Sequence, residues 1–318
     1  MDGAWRCSRR SIELTDDGHP PYGSGVAELV PRGPFSLKAA AEFGFGPHRG
    51  EAFDGAMRLA FPVDGGVGHA GAVLWQPASD GPVNVELQIR GTANPERALR
   101  QIARVVSLDH DGEGFLRVGD RDPVIGRLQR LHPGQRPVLF YSPYEAAAWS
   151  IISARRDAAQ AARVRSSISE RFGATFELAG ETMHAFPQHD ALAALPDDLD
   201  GLNAEKLARL RALARAAQAG ELDVERLHAL GPERAYAEVQ RLKGLGPFYA
   251  GLVVLRGSGF ADAMLPTPEP RVLAHAGRLY GGGGPISLER LTEIAERWRP
   301  FRTWCTVLIR LAGDRGAS

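Results

Sequence analysis

Lysine is nearly absent. Lys38, Lys206 and Lys243 are the three in 318 residues, and arginine carries the rest of the positive charge. The 38 basic and 38 acidic residues cancel to a formal net charge of zero. Bulk charge therefore gives no argument for a nucleic-acid partner, and any basic surface has to be local. Cysteine is almost as scarce. Cys7 and Cys305 lie at opposite ends of the chain, which excludes a disulfide framework, a Cys-based metal spacing and a four-Cys iron–sulfur ligand set. No metal is expected. No apolar run is long enough to span a membrane, and Met1–Arg6 opens no apolar signal core. The expectation is a monomer in the cytoplasm with no membrane partner. What remains is an ordinary globular composition, 44% hydrophobic and 24% charged, at a length that suggests about two domains.

The texture of the chain changes near residue 135. Before it, alternation dominates. Phe35–Ala39, Ala56–Phe61, Ala72–Trp75 and Val83–Ile89 read as strands. Gly65-Gly66 and Asp80-Gly81-Pro82 punctuate them as turns. Asn94-Pro95 then opens a helix, Asn as N-cap and Pro at the first position, with Leu99, Ile102, Ala103 and Val106 as its buried stripe. His132–Pro137 reads as the crossing loop. After Ser142 nearly every segment has helical character. Ser142-Pro143-Tyr144-Glu145 is a start with Glu at the capping-box position. Further helices are expected over Ala158–Phe172, Ala204–Ala219, Asp223–Leu230, Pro232–Leu242, Pro247–Gly257, Pro270–Tyr280, Leu288–Trp298 and Arg302–Leu311. The expected class is α+β: an N-terminal antiparallel sheet domain with packed helices (31–135), then an all-α region (136–318). Residues 1–30, polar and rich in Gly and Pro, are expected to be a flexible N-terminal segment.

One stretch organises the helical half. Leu242-Lys243-Gly244-Leu245-Gly246-Pro247-Phe248-Tyr249-Ala250 reads as a hairpin between two helices. Gly244 and Gly246 let the backbone take positive φ. Pro247 suits the first position of the next helix. The turn presents backbone N–H groups at a helix N-terminus with no bulky side chain over them, which suits a phosphate. One helix later, Leu265-Pro266-Thr267-Pro268-Glu269-Pro270 places a single acid before a Pro-initiated helix. Pro270 biases Glu269 away from the α region, toward an N-cap. Each feature alone has an ordinary reading. A Gly-x-Gly turn joins many helices, an acid at a helix N-terminus stabilises the dipole, and Arg155-Arg156 is a solvated corner. Trp298, Phe301 and Trp304 at helical spacing read as core, Trp304 above all.

Together they resemble the 3-methyladenine DNA glycosylase II family of the helix-hairpin-helix DNA glycosylases. That family's hairpin runs close to Leu-Pro-Gly-Ile-Gly-Pro-Trp-Thr-Ala, and its acid follows a Phe-Pro or Leu-Pro pair as Glu269 follows Leu265-Pro266. Ile151-Ile152-Ser153, Phe186-Pro187, Leu202–Lys206, Gly220-Glu221-Leu222-Asp223, Leu255-Arg256-Gly257 and Trp298-Arg299-Pro300-Phe301-Arg302 resemble further signatures in the same order. The resemblance covers roughly residues 135–312. It implies a helix-hairpin-helix glycosylase region holding the hairpin (242–257) and an acidic loop (265–270). The implied partner is double-stranded DNA with damaged bases. The implied reaction is hydrolysis of the N-glycosidic bond of alkylated purines such as 3-methyladenine, in base excision repair.

The resemblance assigns roles residue by residue. Gly244, Leu245 and Gly246 grip the DNA backbone, with or without a monovalent cation, and no other cofactor is implied. Arg155 falls where relatives carry a wedge side chain that fills the gap left by a flipped nucleotide, and a plain phosphate contact by Arg155 or Arg156 is the alternative. Phe248 and Tyr249 face the base. Glu269 is the catalytic carboxylate, although the family uses Asp there. Charge is kept, but reach grows by roughly 1.5 Å. Lyase-competent relatives carry a Lys at the position of Phe248, so a monofunctional enzyme is expected. Ala154 stands where the family has Gln. A catalytically weakened DNA-binding or damage-sensing homologue, and a helical interaction module with no DNA role, are the competing readings.

Overall fold

Strands β1 (Ser24–Leu29), β2 (Met57–Pro62), β3 (Gly68–Trp75) and β4 (Val83–Gly91) form one antiparallel sheet in the order β1-β4-β3-β2. The structure is a computed structural model, and it describes residues 24–43, 53–266, 269–281 and 283–316. Three expected strands sit where alternation placed them. In β4, Val83, Val85, Leu87 and Ile89 point into the core, as a period of two requires. Two expectations fail. Residues 24–29, assigned to a flexible segment, are the edge strand β1, paired from Ser24 opposite Gln88 to Leu29 opposite Val83. The rest of that segment, residues 1–23, lies outside the described residues. Phe35–Ala39 is not a strand either, because helix α1 (Leu37–Ala41) begins there. The Ser36 hydroxyl accepts from Ala39 N at 3.1 Å, and Leu37 and Ala40, three apart, are buried. Five residues are too few to tell period two from period three.

The helices in order are α2 (Pro95–Val105), α3 (Gly112–Arg121), α4 (Pro123–Leu131), α5 (Pro143–Ser153), α6 (Ala158–Phe172), α7 (His189–Ala193) and α8 (Ala204–Gln218). Then come α9 (Val224–Leu230), α10 (Pro232–Gln240), α11 (Pro247–Leu252), α12 (Pro270–Leu279), α13 (Leu288–Ala295) and α14 (Arg302–Asp314). Helix α11 runs on into a π-helical turn, Val253–Gly257. No helix among the described residues is long and apolar enough to cross a membrane.

The region after 136 is not all helical. Strands β5 (Thr175–Leu178) and β6 (Glu181–His184) form a hairpin that covers the outer face of the sheet. Phe176, Leu178 and Ala185 pack on Ala60 and Val73. A Cβ on Gly71 would meet Phe176 Cδ1 at 2.5 Å, so a glycine is required where the ring comes down. On the inner face α2 packs against Leu59, Phe61, Leu74 and Val85. Helices α5 to α11 enclose a second core around Ile151, Ile152, Leu210, Leu245 and Val253. A third core joins α3 and α4 to α12, α13 and α14, with Phe115, Val118 and Ile125 packed among Trp298, Trp304 and Leu308. Two helices that precede residue 135 therefore pack with the end of the chain rather than with the sheet. Trp298, Phe301 and Trp304 are buried core, as their spacing suggested.

Two buried polar side chains fasten these layers. Arg136, in the crossing loop, donates to the carbonyls of Pro34, Ser107, His110, Arg32 and Gly33. Burial lowers its guanidinium to about 10, so it remains a cation held by main-chain oxygens. Asp122 is fully buried and caps α4, accepting from Val124 N at 3.0 Å and Ile125 N at 3.2 Å. Its other oxygen accepts from Trp298 Nε1 at 3.0 Å and the Tyr280 hydroxyl at 2.9 Å. One carboxylate thus joins the α3–α4 corner to the end of α12, the helix that carries Glu269 at its start.

Candidate active site

Pro270 opens α12, and Glu269 takes the extended conformation of an N-cap, φ −66° and ψ 130°. Its side chain makes no cap hydrogen bond. It reaches across to α14 instead, where Arg310 Nε lies 2.9 Å from Glu269 Oε1. Arg310 also pairs with Asp314, one turn further along α14. Pro268, on the other side of Glu269, lies outside the described residues.

Glu269 and Arg310 line a cavity of about 130 Å³ enclosed by α11 and its π turn on one side and by α12 and α14 on the other. Leu252, Leu255, Met264, Leu265 and Val272 give it apolar walls, and Thr303 and Thr306 add two hydroxyls. Phe248, in the first turn of α11, also lines it and is 48% exposed, an unusual exposure for so large an apolar ring. Arg256 closes the wall from the π turn. Burial lowers its guanidinium to about 9; Glu269 opposes that shift and Arg310 adds to it. These three charged groups therefore share one electrostatic environment. Tyr249 meets the Phe248 ring edge-on at 5.5 Å, but it packs against the middle core and not in the cavity.

The hairpin, residues 241–246, lies between α10 and α11. Gly244 adopts φ +95°, as a tight turn at a glycine allows. Gly246 does not share that need, since its φ is −69°. Its property is openness. It is exposed, and beyond its chain neighbours no heavy atom stands within 4 Å of where a Cβ would be. Leu245 between them is buried and anchors the turn in the middle core. Lys243 is exposed on the near side of Gly244.

Beside the hairpin stands the corner between α5 and α6. A Cβ on Gly244 would meet Arg209 Cδ at 2.9 Å and Ile151 Cγ1 at 3.5 Å, so hairpin, α8 and α5 touch here. Arg155 is exposed at the tip with φ +58°, a left-handed conformation uncommon outside glycine. Arg156 turns inward, donating to the carbonyls of Ile152, at 3.1 Å, and Gly201. Lys206 Nζ donates to the carbonyls of Ile152 at 2.8 Å and Ala154 at 2.7 Å, closing the C-terminal end of α5. Burial, then the charges of Arg156, Arg209 and Arg155, lower the Lys206 ammonium to about 8. Four cations thus share one corner of a chain with no net charge. Arg209 is also paired with Glu205.

Of the residues that the sequence reading grouped, Glu269 and Phe248 line one cavity, while the hairpin packs against α5 and α8 and Arg155 stands at the α5–α6 corner outside the cavity lining. The sequence reading missed Arg256 and Arg310 in the cavity wall, and Lys206 and Arg209 in the corner. Arg310 carried no local signal, because its position beside Glu269 depends on how α12 packs on α14. Asp262, the nearest other carboxylate along the chain, is committed elsewhere. It accepts from Arg302 Nε at 2.7 Å, Arg302 N at 3.2 Å and Arg299 Nη1 at 3.2 Å.

The sequence matches no protein-family model and no curated protein. Solved structures do resemble the fold. A 3-methyladenine DNA-glycosylase from Archaeoglobus fulgidus is similar over 90% of this chain and 98% of its own, with 22% identity and a TM-score of 0.69. An 8-oxoguanine glycosylase/lyase from Clostridium acetobutylicum is similar over 90% and 95%, with 18% identity and a TM-score of 0.63. A DNA-3-methyladenine glycosidase from Bacillus halodurans is similar over 64% and 90%, with 17% identity and a TM-score of 0.52. The likeness is one of fold, and it agrees with the resemblance read in the sequence: the chain shares the fold of these DNA glycosylases.

Proposed function

We propose that this chain is a monofunctional DNA glycosylase of base excision repair, hydrolysing the N-glycosidic bond of a modified purine in duplex DNA. The observation that carries the reading is Glu269, a lone acid at the mouth of an apolar cavity, in a fold shared with glycosylases. The reaction needs a nucleotide taken out of the stack. The hairpin holds the backbone, with or without a monovalent cation, and the corner cations attract phosphates. Arg155 projects into the gap, while Arg156 braces the corner from inside. Phe248 meets the extruded base at the cavity mouth. As the base departs, the sugar develops oxocarbenium character. The Glu269 carboxylate stabilises that charge and orients the attacking water. Phe248 offers no amine, so no Schiff base forms there. The resemblance implies alkylated purines as substrates.

A second reading, a damage-binding protein with little turnover, is favoured by one observation. The Arg310 pair engages a carboxylate oxygen that catalysis would use. Base release decides between them. Incubation with duplexes carrying single modified purines should free the base and leave abasic sites that stay uncut until alkali is added. Borohydride should trap no protein–DNA adduct. A trapped adduct would refute the monofunctional assignment, and tight binding without release would establish the second reading.

Gly246→Asp tests the grip. The open space at Gly246 leaves the fold undisturbed, while the added charge faces phosphate. Affinity for any duplex, damaged or not, should fall on the order of 10- to 100-fold at low salt, less at high salt. Unchanged affinity in a folded variant would remove the hairpin from the DNA footprint.

A further inference from the structure

The cavity beside Glu269 has an unusual wall for the substrates that the resemblance implies. Alkylated purines such as 3-methyladenine are cations, and a site that selects a cation uses aromatic faces or excess negative charge. Here the lining carries two guanidiniums, Arg256 and Arg310, against the one carboxylate of Glu269. Asp314 offsets Arg310 from the far side but does not line the cavity. The only aromatic ring among the described lining residues is Phe248 at the mouth, and the remaining walls are aliphatic or hydroxylic. Arg256 is buried, donates to the Val138 carbonyl and lies 5.3 Å from the Phe43 ring centroid. Even with its lowered value of about 9 it is a cation at neutral pH. When Glu269 turns to the sugar, the base itself faces an excess of positive charge. Guanidinium N–H groups only donate.

We infer that the pocket selects an uncharged purine lesion that presents carbonyl acceptors, and discriminates against cationic N-alkylated purines, with Arg310 the discriminating residue. The inference rests on the glycosylase reading and names its substrate class. A neighbouring charge within a site shifts an ionisation equilibrium by about one to three powers of ten, and a like charge shifts it against the charged form. The cationic base should lose by a comparable factor.

The test uses the full chain and matched duplexes carrying a single hypoxanthine, 8-oxoguanine or 7-methylguanine. All three lesions bear a carbonyl, and only the last is a cation. Single-turnover release is divided by the spontaneous loss of each base, because cationic bases also leave faster unaided. The expected result is an enhancement at least about tenfold larger for an uncharged lesion than for 7-methylguanine. Arg310→Met should narrow that ratio and Arg310→Lys should keep it, whatever either does to the absolute rates. An equal or larger enhancement for 7-methylguanine in the wild type would overturn the inference while leaving the glycosylase reading intact. An unchanged ratio in a folded Arg310→Met would overturn the role of Arg310. No release of any base would sink the glycosylase reading itself, and this inference with it.

Discussion

Glu269→Gln is expected to lower base release by on the order of 1,000-fold while duplex binding holds or tightens. The substitution keeps the shape of the side chain and removes the charge that would face the oxocarbenium sugar. It also removes a negative charge close to the DNA backbone. The loss should fall on kcat, because the carboxylate acts in the transition state and not in ground-state binding. Glu269→Asp is the sharper variant. Shortening the side chain by roughly 1.5 Å breaks the pair with Arg310, which now stands at 2.9 Å. The shorter acid would fall back on the N-terminus of α12, where Asp is a favoured cap. Release should then drop by about 100-fold. A rise in rate for Asp would instead mean that the backbone is set for the shorter acid, and that Glu269 belongs to a damage binder. Wild-type release in Glu269→Gln would place the catalytic carboxylate elsewhere. Asp262 is a poor substitute, since Arg299 and Arg302 already hold both its oxygens.

What the sequence made legible was local. Asn94 and Ser142 cap their helices through contacts two or three residues away, and such spacing is visible in one dimension. The Gly-Leu-Gly-Pro turn and the Glu-Pro helix start are equally short-range, so the hairpin and the N-cap position of Glu269 could be read directly. The carboxyl of Glu145 marks the limit even there. Its spacing from Ser142 suggested a capping box, yet the side chain is buried and paired with Arg165 at 2.7 Å. The features that escaped reading depend on distant partners. Phe176 and Leu178 alternate with polar residues over only four positions, and their reason for being strands is Ala60 and Val73 in the sheet. Helices α3 and α4 look like the end of the sheet domain until Trp298 and Tyr280 are seen to converge on Asp122. The charge of the cavity wall could not be read because Arg256, Glu269 and Arg310 come from three separate elements.

Asp122→Ala should cost about 3–5 kcal/mol of stability, because several neutral donors lose a charged acceptor at about 1–3 kcal/mol for each one left buried and unsatisfied. Four donors converge on this carboxylate: the N–H groups of Val124 and Ile125, the Trp298 indole and the Tyr280 hydroxyl. Burial, together with the Asp122 charge, pushes the Tyr280 hydroxyl well up, so it stays protonated and donating. Alanine leaves all four without their acceptor, the Ile125 N–H and the Trp298 indole in buried positions, and opens a void beside the fully buried Trp298. Asp122→Asn is the gentler control. Its amide oxygen can keep the cap of α4, but its NH₂ group then confronts the indole N–H, so roughly 1–3 kcal/mol should be lost. Denaturant unfolding of both variants measures the order Ala, Asn, wild type directly. A loss below about 1 kcal/mol in Asp122→Ala would mean that the apolar contacts of the third core hold α12 in place without the carboxylate. The expected larger loss has a functional counterpart. Because Tyr280 closes the helix that Glu269 opens, the Ala variant should release bases more slowly even at temperatures where it remains folded, with duplex affinity little changed, since the hairpin and the basic corner belong to the middle core.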